Sequence, residues 1–465
     1  MSVFREYDIR GLAETDLHNP FCFALGRTLA RRLKIENEKS VYIGKDVRLS
    51  SDRIATALAA GFLFEGIDVS IIPTGPTPLL YFAAKVEVSG FQTASGVMVT
   101  GSHNPPEYNG FKTVLNGRTL HGSDIQEIGQ ELAPLLAEHP NEIPTAALKF
   151  SAKESARAPD YIKYMVSNIR RGKKLKVLVD AGNGAGGPIA LETYRALGHE
   201  VIPLFCDFDG QFPNHHPDPT VPKNLTHLIA EVKKTGADLG IGFDGDADRI
   251  GAVSSTGQIL FGDQLVLYFS RDILKEDPGA TIISEVKSSK VLFDTLKKWG
   301  ANPIIWKTGH SLIKAKLKET NAALAGEMSG HMFFSNRYFG FDDAIYSGAR
   351  LLEGLSLRDE TLDQFLASLP AVINTPEIRV DYPDSRKFEL VKAFVELARK
   401  NFGSQVLDID GARVSFPKGW GLLRASNTQP VLVLRFEGET QSALDDIKAQ
   451  FLKILRSIDP GFEIP

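Results

Sequence analysis

The sequence has little cysteine, little excess charge and no long apolar run. Its 465 residues include only two cysteines, Cys22 and Cys206, which exclude a Cys-x-x-Cys metal site and argue against a disulfide-bonded scaffold. There are 53 basic and 57 acidic residues, and this near balance argues against a nucleic-acid binder. No uncharged apolar run approaches the roughly 18 residues of a membrane span, and the charged start does not resemble a secretory signal. We therefore expect a cytoplasmic protein with neither a nucleic-acid nor a membrane partner.

The composition is that of a soluble protein with several domains, since 43% of the residues are hydrophobic and 24% are charged. At roughly 150 residues a domain, the length suggests about three. Helical and strand patterns alternate over most of the chain, which predicts α/β domains with parallel or mixed sheets. Near the C-terminus the strands are grouped between two helices, which predicts an α+β domain. We predict four domains, at residues 1–150, 151–257, 258–370 and 371–465.

Individual elements follow from the same patterns. We predict helices at residues 21–33, 53–64, 290–299, 312–319, 388–400 and 443–458, and strands at residues 41–44, 69–72, 95–100, 176–180, 200–204, 238–243, 281–284, 303–306 and 377–380. The helix at 53–64 has Ser50, Ser51 or Asp52 as its N-cap candidate. The polar segment 137–158 is the predicted boundary between the first two domains.

An acidic loop, Asp-Gly-Asp-Ala-Asp-Arg at residues 244–249, follows a buried strand pattern. In an extended chain Asp244, Asp246 and Asp248 fall on one side, where three carboxylates repel one another. A hard divalent cation such as Mg²⁺ would compensate this charge. An EF-hand is rejected because its sixth and twelfth positions are Arg249 and Ser255 instead of Gly and Glu. The alternative is an acidic surface turn.

A serine loop, Thr-Gly-Ser-His-Asn-Pro-Pro at residues 100–106, also closes a strand, where α/β sheets bind ligands. It does not fit the Gly-x-Ser-x-Gly elbow of hydrolases. A serine hydroxyl can carry a phosphoryl group if a metal and basic residues surround it, and His103 and Lys112 are nearby in sequence. Taken alone, Ser102 is more typical of a turn. The hypothesis depends on combining this loop with the acidic loop.

Three further loops carry polar or glycine-rich patterns. Residues 182–187 fit Gly-x-Gly-x-x-Gly after a strand, with Glu200 downstream, which leaves open either a dinucleotide site or a structural turn. Residues 326–331 combine Glu327, Ser329 and His331, which suit sugar hydroxyls or a polar hairpin. Residues 424–430 bring a guanidinium, hydroxyls and an amide together, which suits a phosphate site or a simple turn.

Taken together, five segments resemble the α-D-phosphohexomutase superfamily, and within it the bacterial phosphomannomutase/phosphoglucomutase group. The resemblance runs over nearly the whole chain, through residues 7–11, 93–105, 244–249, 326–331 and 424–428. It implies four domains around a central cleft, three similar α/β domains with mixed sheets and a smaller C-terminal α+β domain. It also implies reversible phosphoryl transfer between the 1- and 6-positions of mannose or glucose phosphates, through a phosphoserine and a hexose 1,6-bisphosphate.

The resemblance implies a role for individual residues. Ser102 would be the phosphoserine, and it would bind Mg²⁺ together with Asp244, Asp246 and Asp248. The other implied catalytic residues are Arg10, Lys112, His103 and Arg249. The implied substrate contacts are Tyr7, Lys287, Gly309, His310, Glu327, Ser329, His331, Arg424, Ser426, Asn427 and Thr428. Ala247 replaces a glycine common in this loop, and since it offers no ligand we expect no change in metal binding.

The resemblance also implies partners and leaves alternatives. Glucose 1,6-bisphosphate or mannose 1,6-bisphosphate would be the activator, hexose phosphates the small-molecule partners, and the protein a monomer or weak dimer. The alternative within the superfamily is phosphoglucosamine mutase. Alternatives from other classes are a Mg²⁺-dependent sugar phosphatase, a nicotinamide enzyme built on residues 182–187 and a non-catalytic sugar-phosphate sensor.

Overall fold

A computed structural model describes residues 3–86, 91–149, 151–427 and 429–464. The chain forms two compact units. Unit 1 comprises Met1–Gly262 and Ser329–Gln364, and unit 2 comprises Asp263–Met328 and Phe365–Pro465. None of the described helices is both long enough and apolar enough to cross a membrane.

Strands and helices alternate along most of the chain. The strands are β1 (Ile9–Leu12), β2 (Ser40–Lys45), β3 (Asp68–Ile71), β4 (Gly96–Val99), β5 (Tyr108–Leu115), β6 (Arg118–Thr119), β7 (Lys153–Glu154), β8 (Lys176–Asp180), β9 (Glu200–Leu204), β10 (Leu239–Phe243), β11 (Ile250–Ser254), β12 (Ile259–Leu260), β13 (Thr281–Glu285), β14 (Asn302–Trp306), β15 (Leu324–Gly326), β16 (Met332–Phe334), β17 (Ile373–Asn374), β18 (Ile378–Asp381), β19 (Val406–Leu407), β20 (Ala412–Phe416), β21 (Gly419–Ala425) and β22 (Val431–Gly438). The helices are α1 (Asn19–Ile35), α2 (Ser51–Phe64), α3 (Thr77–Ala83), α4 (Ser123–Glu138), α5 (Ala158–Asn168), α6 (Gly187–Ala196), α7 (Thr226–Thr235), α8 (Gly262–Glu276), α9 (Lys290–Lys298), α10 (His310–Thr320), α11 (Ala344–Ser356), α12 (Leu362–Ser368), α13 (Asp384–Phe402) and α14 (Gln441–Ile458).

Unit 1 contains two mixed sheets. The first has the strand order β1-β5-β4-β2-β3-β7, with β6 beside β5. Strands β4, β2, β3 and β7 are parallel to one another, whereas β5 runs antiparallel to β4 and β1. Val41 and Ile43 of β2 and Val97 and Val99 of β4 are fully buried, as expected for central strands covered on both faces.

The second sheet of unit 1 has the order β12-β11-β10-β8-β9. Strand β10 pairs in parallel with β8 and antiparallel with β11. Every residue of β10 is buried, so this strand reaches its end, at Phe243, in the interior of the protein. That position determines where the acidic loop begins.

Unit 2 also contains two sheets. The parallel strands β14, β13 and β15 are adjacent in that order. The other sheet is antiparallel, with the order β17-β22-β21-β20-β19 and β18 also paired with β22. Helices α13 and α14 cover it, and Phe394, Phe436 and Phe451 form the aromatic centre of its core.

The predicted elements are confirmed to within a few residues at their ends, and two details differ. Helix α2 has Ser50 as its N-cap position, but that side chain makes no capping hydrogen bond. The polar segment predicted as a boundary contains β7, which extends the first sheet by pairing with β3. The residue limits of the four domains stay a prediction.

Candidate active site

Two loops of unit 1 meet where β4 and β10 end. Ser102 follows β4, and its hydroxyl donates a hydrogen bond of 2.7 Å to Oδ2 of Asp244, the first residue after β10. Both residues are almost completely buried. Ser102 has a φ of 49°, in the left-handed region that non-glycine residues rarely occupy. The serine loop and the acidic loop, predicted separately from the sequence, are therefore in direct contact.

The acidic loop turns tightly enough to bring its three aspartates together. The backbone N–H groups of Asp248 and Arg249 both donate to Oδ1 of Asp244, at 3.1 Å each. Gly245 leaves room for the serine loop, because a Cβ at this position would lie 2.3 Å from the carbonyl oxygen of Ser102. Ala247 is buried with a φ of 55°, so it carries the left-handed turn of the loop and points no ligand into the site.

Asp244, Asp246 and Asp248 are completely buried, and one oxygen of each lies within 4.8 Å of the others. Within the described residues, Oδ1 of Asp246 and Oδ1 of Asp248 accept no hydrogen bond. Buried carboxylate oxygens without a donor are costly unless a cation lies beside them. The cluster therefore has the composition and the unsatisfied oxygens of a site for a hard metal ion.

Lys112 of β5 supplies positive charge to this cluster. Its Nζ donates to Oδ2 of Asp246 at 2.6 Å and also to Oδ2 of Asp248. Burial would lower the pKa of Lys112, but the two aspartates outweigh it and raise that pKa. Burial and the neighbouring carboxylates of Asp246 and Asp248 raise the pKa of Asp244 well above its ordinary value. The pKa of Asp246 is lowered, because Lys112 outweighs the opposing effect of burial.

Arg249 and His331 connect the acidic loop to the start of β16. Arg249 Nε donates to His331 Nε2 at 3.0 Å. His331 Nδ1 lies 3.1 Å from Oδ2 of Asp342 and 3.6 Å from Oδ1 of Asp248. Asp342 was not predicted, because the adjacent pair Asp342 and Asp343 follows an aromatic stretch and belongs to no motif. Thr77 was missed as well, and its hydroxyl donates to Oδ2 of Asp246.

The remaining predicted residues of unit 1 lie around Ser102. His103 Nδ1 is 3.2 Å from the Ser102 hydroxyl, and burial, followed by the charges of Arg249 and Arg10, lowers the pKa of His103 well below its ordinary value. Arg10 of β1 donates to Asn104 Oδ1 at 2.7 Å and forms an ion pair with Asp8. Tyr7 is partly buried shortly before β1, and Ser329 is partly buried shortly before β16.

Two groups of predicted residues lie in unit 2. Glu327 Oε1 accepts a hydrogen bond of 2.7 Å from the backbone N–H of Gly309, which is the N-cap of the helix that begins at His310. Lys287 Nζ lies 3.1 Å from Glu377 Oε2 and 3.6 Å from Glu285 Oε2. These two glutamates raise the pKa of Lys287 against the effect of burial. Neither glutamate was predicted.

The loop after β21 contains the last predicted group. Arg424 is buried at the end of that strand, and its Nε donates to Asp410 Oδ2 at 3.0 Å. Ser426 is also buried, whereas Asn427 is exposed. Thr428 lies outside the described residues. Asp410 was not predicted, since it belongs to no motif in the sequence.

The glycine-rich segment 182–187 is packed against the acidic loop. The backbone N–H of Ala185 donates to the carbonyl oxygen of Gly245 at 2.9 Å, and that of Gly182 donates to Asp180 Oδ1 at 2.9 Å. The N–H groups of Gly182 and Ala185 thus donate to oxygens of the protein itself, which favours the structural turn over a dinucleotide site.

Comparisons with known proteins agree along the whole chain. Four domain descriptions of phosphoglucomutase/phosphomannomutase match in order, the alpha/beta/alpha domains I, II and III at residues 1–136, 159–257 and 261–372 and the C-terminal domain at residues 377–454. A phosphomannomutase/phosphoglucomutase of Pseudomonas aeruginosa is 45% identical over 100% of this chain and 97% of its own. A phosphoglucomutase of Neisseria meningitidis is 43% identical over 98% of this chain and 97% of its own.

A solved structure gives the same result. A phosphoglucomutase/phosphomannomutase family protein of Burkholderia thailandensis superposes with a TM-score of 0.92 and 41% identity, covering 100% of this chain and 99% of that one. These findings confirm the predicted fold class and the resemblance drawn from the five segments. The chain belongs to the phosphoglucomutase/phosphomannomutase family.

Proposed function

We propose that this chain moves a phosphoryl group between the 1- and 6-positions of a hexose phosphate, mannose or glucose, through a phosphoserine at Ser102. The observation that carries the proposal is the hydrogen bond of 2.7 Å between the Ser102 hydroxyl and Asp244, inside a buried cluster of three aspartates. A serine in that position has an acceptor for its proton and room for a cation beside a transferred phosphate. A turn-forming serine needs neither.

Mg²⁺ is the metal we propose for the cluster. Three carboxylates and one hydroxyl offer only oxygen ligands, which is the donor set that Mg²⁺ prefers. Ser102, Asp244, Asp246 and Asp248 would hold it, and the two buried oxygens that accept no hydrogen bond from the described part of the chain support this assignment. When bound, the ion supplies positive charge that stabilises the developing charge on the transferring group.

The reaction we propose has two phosphoryl transfers. A hydroxyl of the bound hexose phosphate attacks the phosphorus of phospho-Ser102, the bond from phosphorus to Oγ breaks, and a hexose 1,6-bisphosphate forms. The bisphosphate then turns end for end, Ser102 Oγ attacks its other phosphorus, the bond from that phosphorus to the sugar oxygen breaks, and the isomeric monophosphate is released. Arg10, His103, Lys112 and Arg249 are the residues we propose for binding the transferring group and assisting the hydroxyl proton.

We assign the non-reacting parts of the substrate to the other predicted residues. Arg424, Ser426, Asn427 and Thr428 would bind the phosphate that is not being transferred, because a guanidinium and loop hydroxyls suit a phosphate dianion. Glu327 and Ser329 would bind ring hydroxyls, and the remaining substrate contacts would come from Tyr7, Lys287, Gly309, His310 and His331. Glucose 1,6-bisphosphate or mannose 1,6-bisphosphate would phosphorylate Ser102 as activator.

Phosphorus NMR tests the proposal directly. The protein is incubated with Mg²⁺, a trace of glucose 1,6-bisphosphate, and glucose 1-phosphate or mannose 1-phosphate. We expect the 6-phosphate signal to grow with either sugar, and the two rates rank the sugars. Ser102→Ala should abolish this growth while the circular dichroism spectrum stays unchanged.

Other outcomes would change the proposal. Growth of inorganic phosphate in place of the 6-phosphate would indicate a sugar phosphatase. Turnover of glucosamine phosphates alone would indicate a phosphoglucosamine mutase. Substantial mutase activity in the Ser102→Ala variant would show that another group carries the phosphoryl.

A further inference from the structure

Arg48 is a completely buried arginine that lies behind the serine loop and belongs to none of the predicted motifs. Its side chain has 0% exposure. Its two terminal nitrogens donate to four backbone carbonyl oxygens of the serine loop and the residues after it, those of Ser102 at 2.7 Å, Asn104 at 2.6 Å, Pro105 at 2.5 Å and Tyr108 at 2.9 Å. Its Nε donates to Asp46 Oδ2 at 3.2 Å. All five N–H donors of the guanidinium are therefore used.

Asp46 and Thr100 fix the other side of the same backbone. Asp46 Oδ2 accepts from the Thr100 hydroxyl at 2.8 Å and from the Gly101 N–H at 3.2 Å. The Thr100 hydroxyl accepts from the Ser102 N–H at 2.9 Å. Both the N–H and the carbonyl of Ser102 are thus held, directly or through one side chain. We call Asp46, Arg48 and Thr100 the Arg48 clamp.

The guanidinium is packed against the loop backbone and an aromatic ring. A Cβ at Gly101 would lie 2.5 Å from Arg48 Cζ, so the loop backbone lies directly against one side of the side chain. The ring of Phe212 lies 5.1 Å from Cζ. A lysine here would offer at most three donors from a single nitrogen and could not reach the same set of carbonyls.

The cost of burying this charge points to a role beyond stability. Burial lowers the pKa of Arg48 and outweighs the opposing charge of Asp46, with which Arg48 forms an ion pair. Buried ion pairs contribute little net stability compared with apolar packing. What the clamp does provide is a defined backbone at Ser102, whose φ of 49° is unfavourable without support from neighbouring groups.

We propose that Arg48, with Asp46 and Thr100, is a positioning residue for phosphoryl transfer. The clamp holds the Ser102 backbone in its left-handed conformation, and this aims Oγ at Asp244 and the cation site. The proposal rests on the function proposed for Ser102. It predicts an effect on the rate of transfer and not on substrate affinity, because no atom of the clamp belongs to the proposed substrate contacts.

The test compares Arg48→Lys with Arg27→Lys in the full-length protein. Arg27 is a matched control, because it is also buried in unit 1 and pairs with Glu65 and Glu138, far along the sequence from the serine loop. Steady-state kinetics with glucose 1-phosphate give kcat and KM, and intact-mass spectrometry gives the fraction of phosphorylated enzyme. For Arg48→Lys we expect kcat per phosphorylated enzyme to fall about 100-fold with KM changed less than about 3-fold, since a misplacement of about 1 Å costs this much. Arg27→Lys should keep kcat within about 2-fold.

If Arg48→Lys does not fold, Thr100→Val tests the positioning role of the clamp. Valine has nearly the shape of threonine but cannot accept from the Ser102 N–H, so we expect kcat to fall at least about 10-fold with KM unchanged. A folded Arg48→Lys protein with kcat within about 3-fold of the parent, or a loss equal to that of the control, would overturn the proposal. Ser102→Ala distinguishes failure of the proposed function from failure of the positioning role. An active Ser102→Ala protein refutes the phosphoserine itself. If this variant is inactive, the Arg48→Lys and Thr100→Val variants decide on the clamp.

Discussion

Replacement of Asp343 by asparagine should stabilise the protein at neutral pH. Asp343 is the buried N-cap of α11 and accepts hydrogen bonds from the hydroxyls of Tyr161 at 2.7 Å and Tyr338 at 2.6 Å and from the N–H of Tyr346 at 2.8 Å. Burial outweighs these hydrogen bonds and raises the pKa of Asp343 from 3.8 to about 6. Asparagine keeps the cap and has no charge to bury.

The magnitude follows from the two pKa values. An acid whose pKa is raised in the folded state contributes its full stability below the unfolded pKa and loses it as the pH rises to the folded pKa. For Asp343 this window runs from 3.8 to about 6 and is worth roughly 3 kcal/mol at 1.36 kcal/mol per pH unit. The asparagine variant lacks this loss. Above the window it should therefore be about 1–3 kcal/mol more stable than the parent, and near pH 4 the two should be similar.

Urea unfolding of both proteins between about pH 4.5 and about pH 7.5 measures the difference. Asp363→Asn is the matched control. Burial would raise the pKa of Asp363, but hydrogen bonds from Ser254 and Thr256 outweigh burial and lower this pKa. Asp363 therefore titrates below the window, and the stability difference between the parent and this control should not change with pH inside the window. A stability difference between the parent and Asp343→Asn that does not change with pH would refute the reasoning.

Three further changes test the site. Lys112→Met removes the buried cation between two aspartates, and urea unfolding in the presence of a chelator should show a loss of about 3–5 kcal/mol; a loss below about 1 kcal/mol would contradict the pairing. Arg424→Ala should raise KM for hexose phosphates by about 10–100-fold in steady-state assays, since a charge-assisted contact contributes about 1.5–3 kcal/mol, and an unchanged KM would remove this residue from the proposed phosphate site. Gly245→Ala places a Cβ 2.3 Å from the Ser102 carbonyl oxygen, so kcat should fall about 100-fold, and a fully active variant would show that the two loops need not touch.

The sequence predicts those parts of the site whose functional side chains lie within one short segment. The acidic loop has three carboxylates at alternate positions after a buried strand, and this pattern by itself indicates a cation site. The serine loop was a weaker prediction, because Ser102 alone is typical of a turn. Its contact with Asp244 depends on how two separate sheets pack, which no local pattern reports.

The residues that were missed are single side chains brought in from distant segments. Arg48 stands in a charged stretch and looks like an ordinary surface arginine, yet it is fully buried. Thr77 and Asp342 each reach the site from a loop or helix end without a motif. Several elements were not predicted, among them α3, whose seven residues include a proline and are too short to show a helical period.

The bond between Ser102 and Asp244 joins residues 142 positions apart in the chain. At a synthesis rate of about 5–20 residues per second, the serine is added to the chain roughly 7–30 seconds before its partner. During that interval Lys112 has no aspartates to pair with, and the serine has neither its proton acceptor nor a cation site. The newly made N-terminal part therefore cannot acquire its phosphate by the chemistry proposed here. Phosphorylation of Ser102 therefore has to wait until at least the acidic loop has been made and folded, and it depends on the supply of sugar bisphosphate from then on.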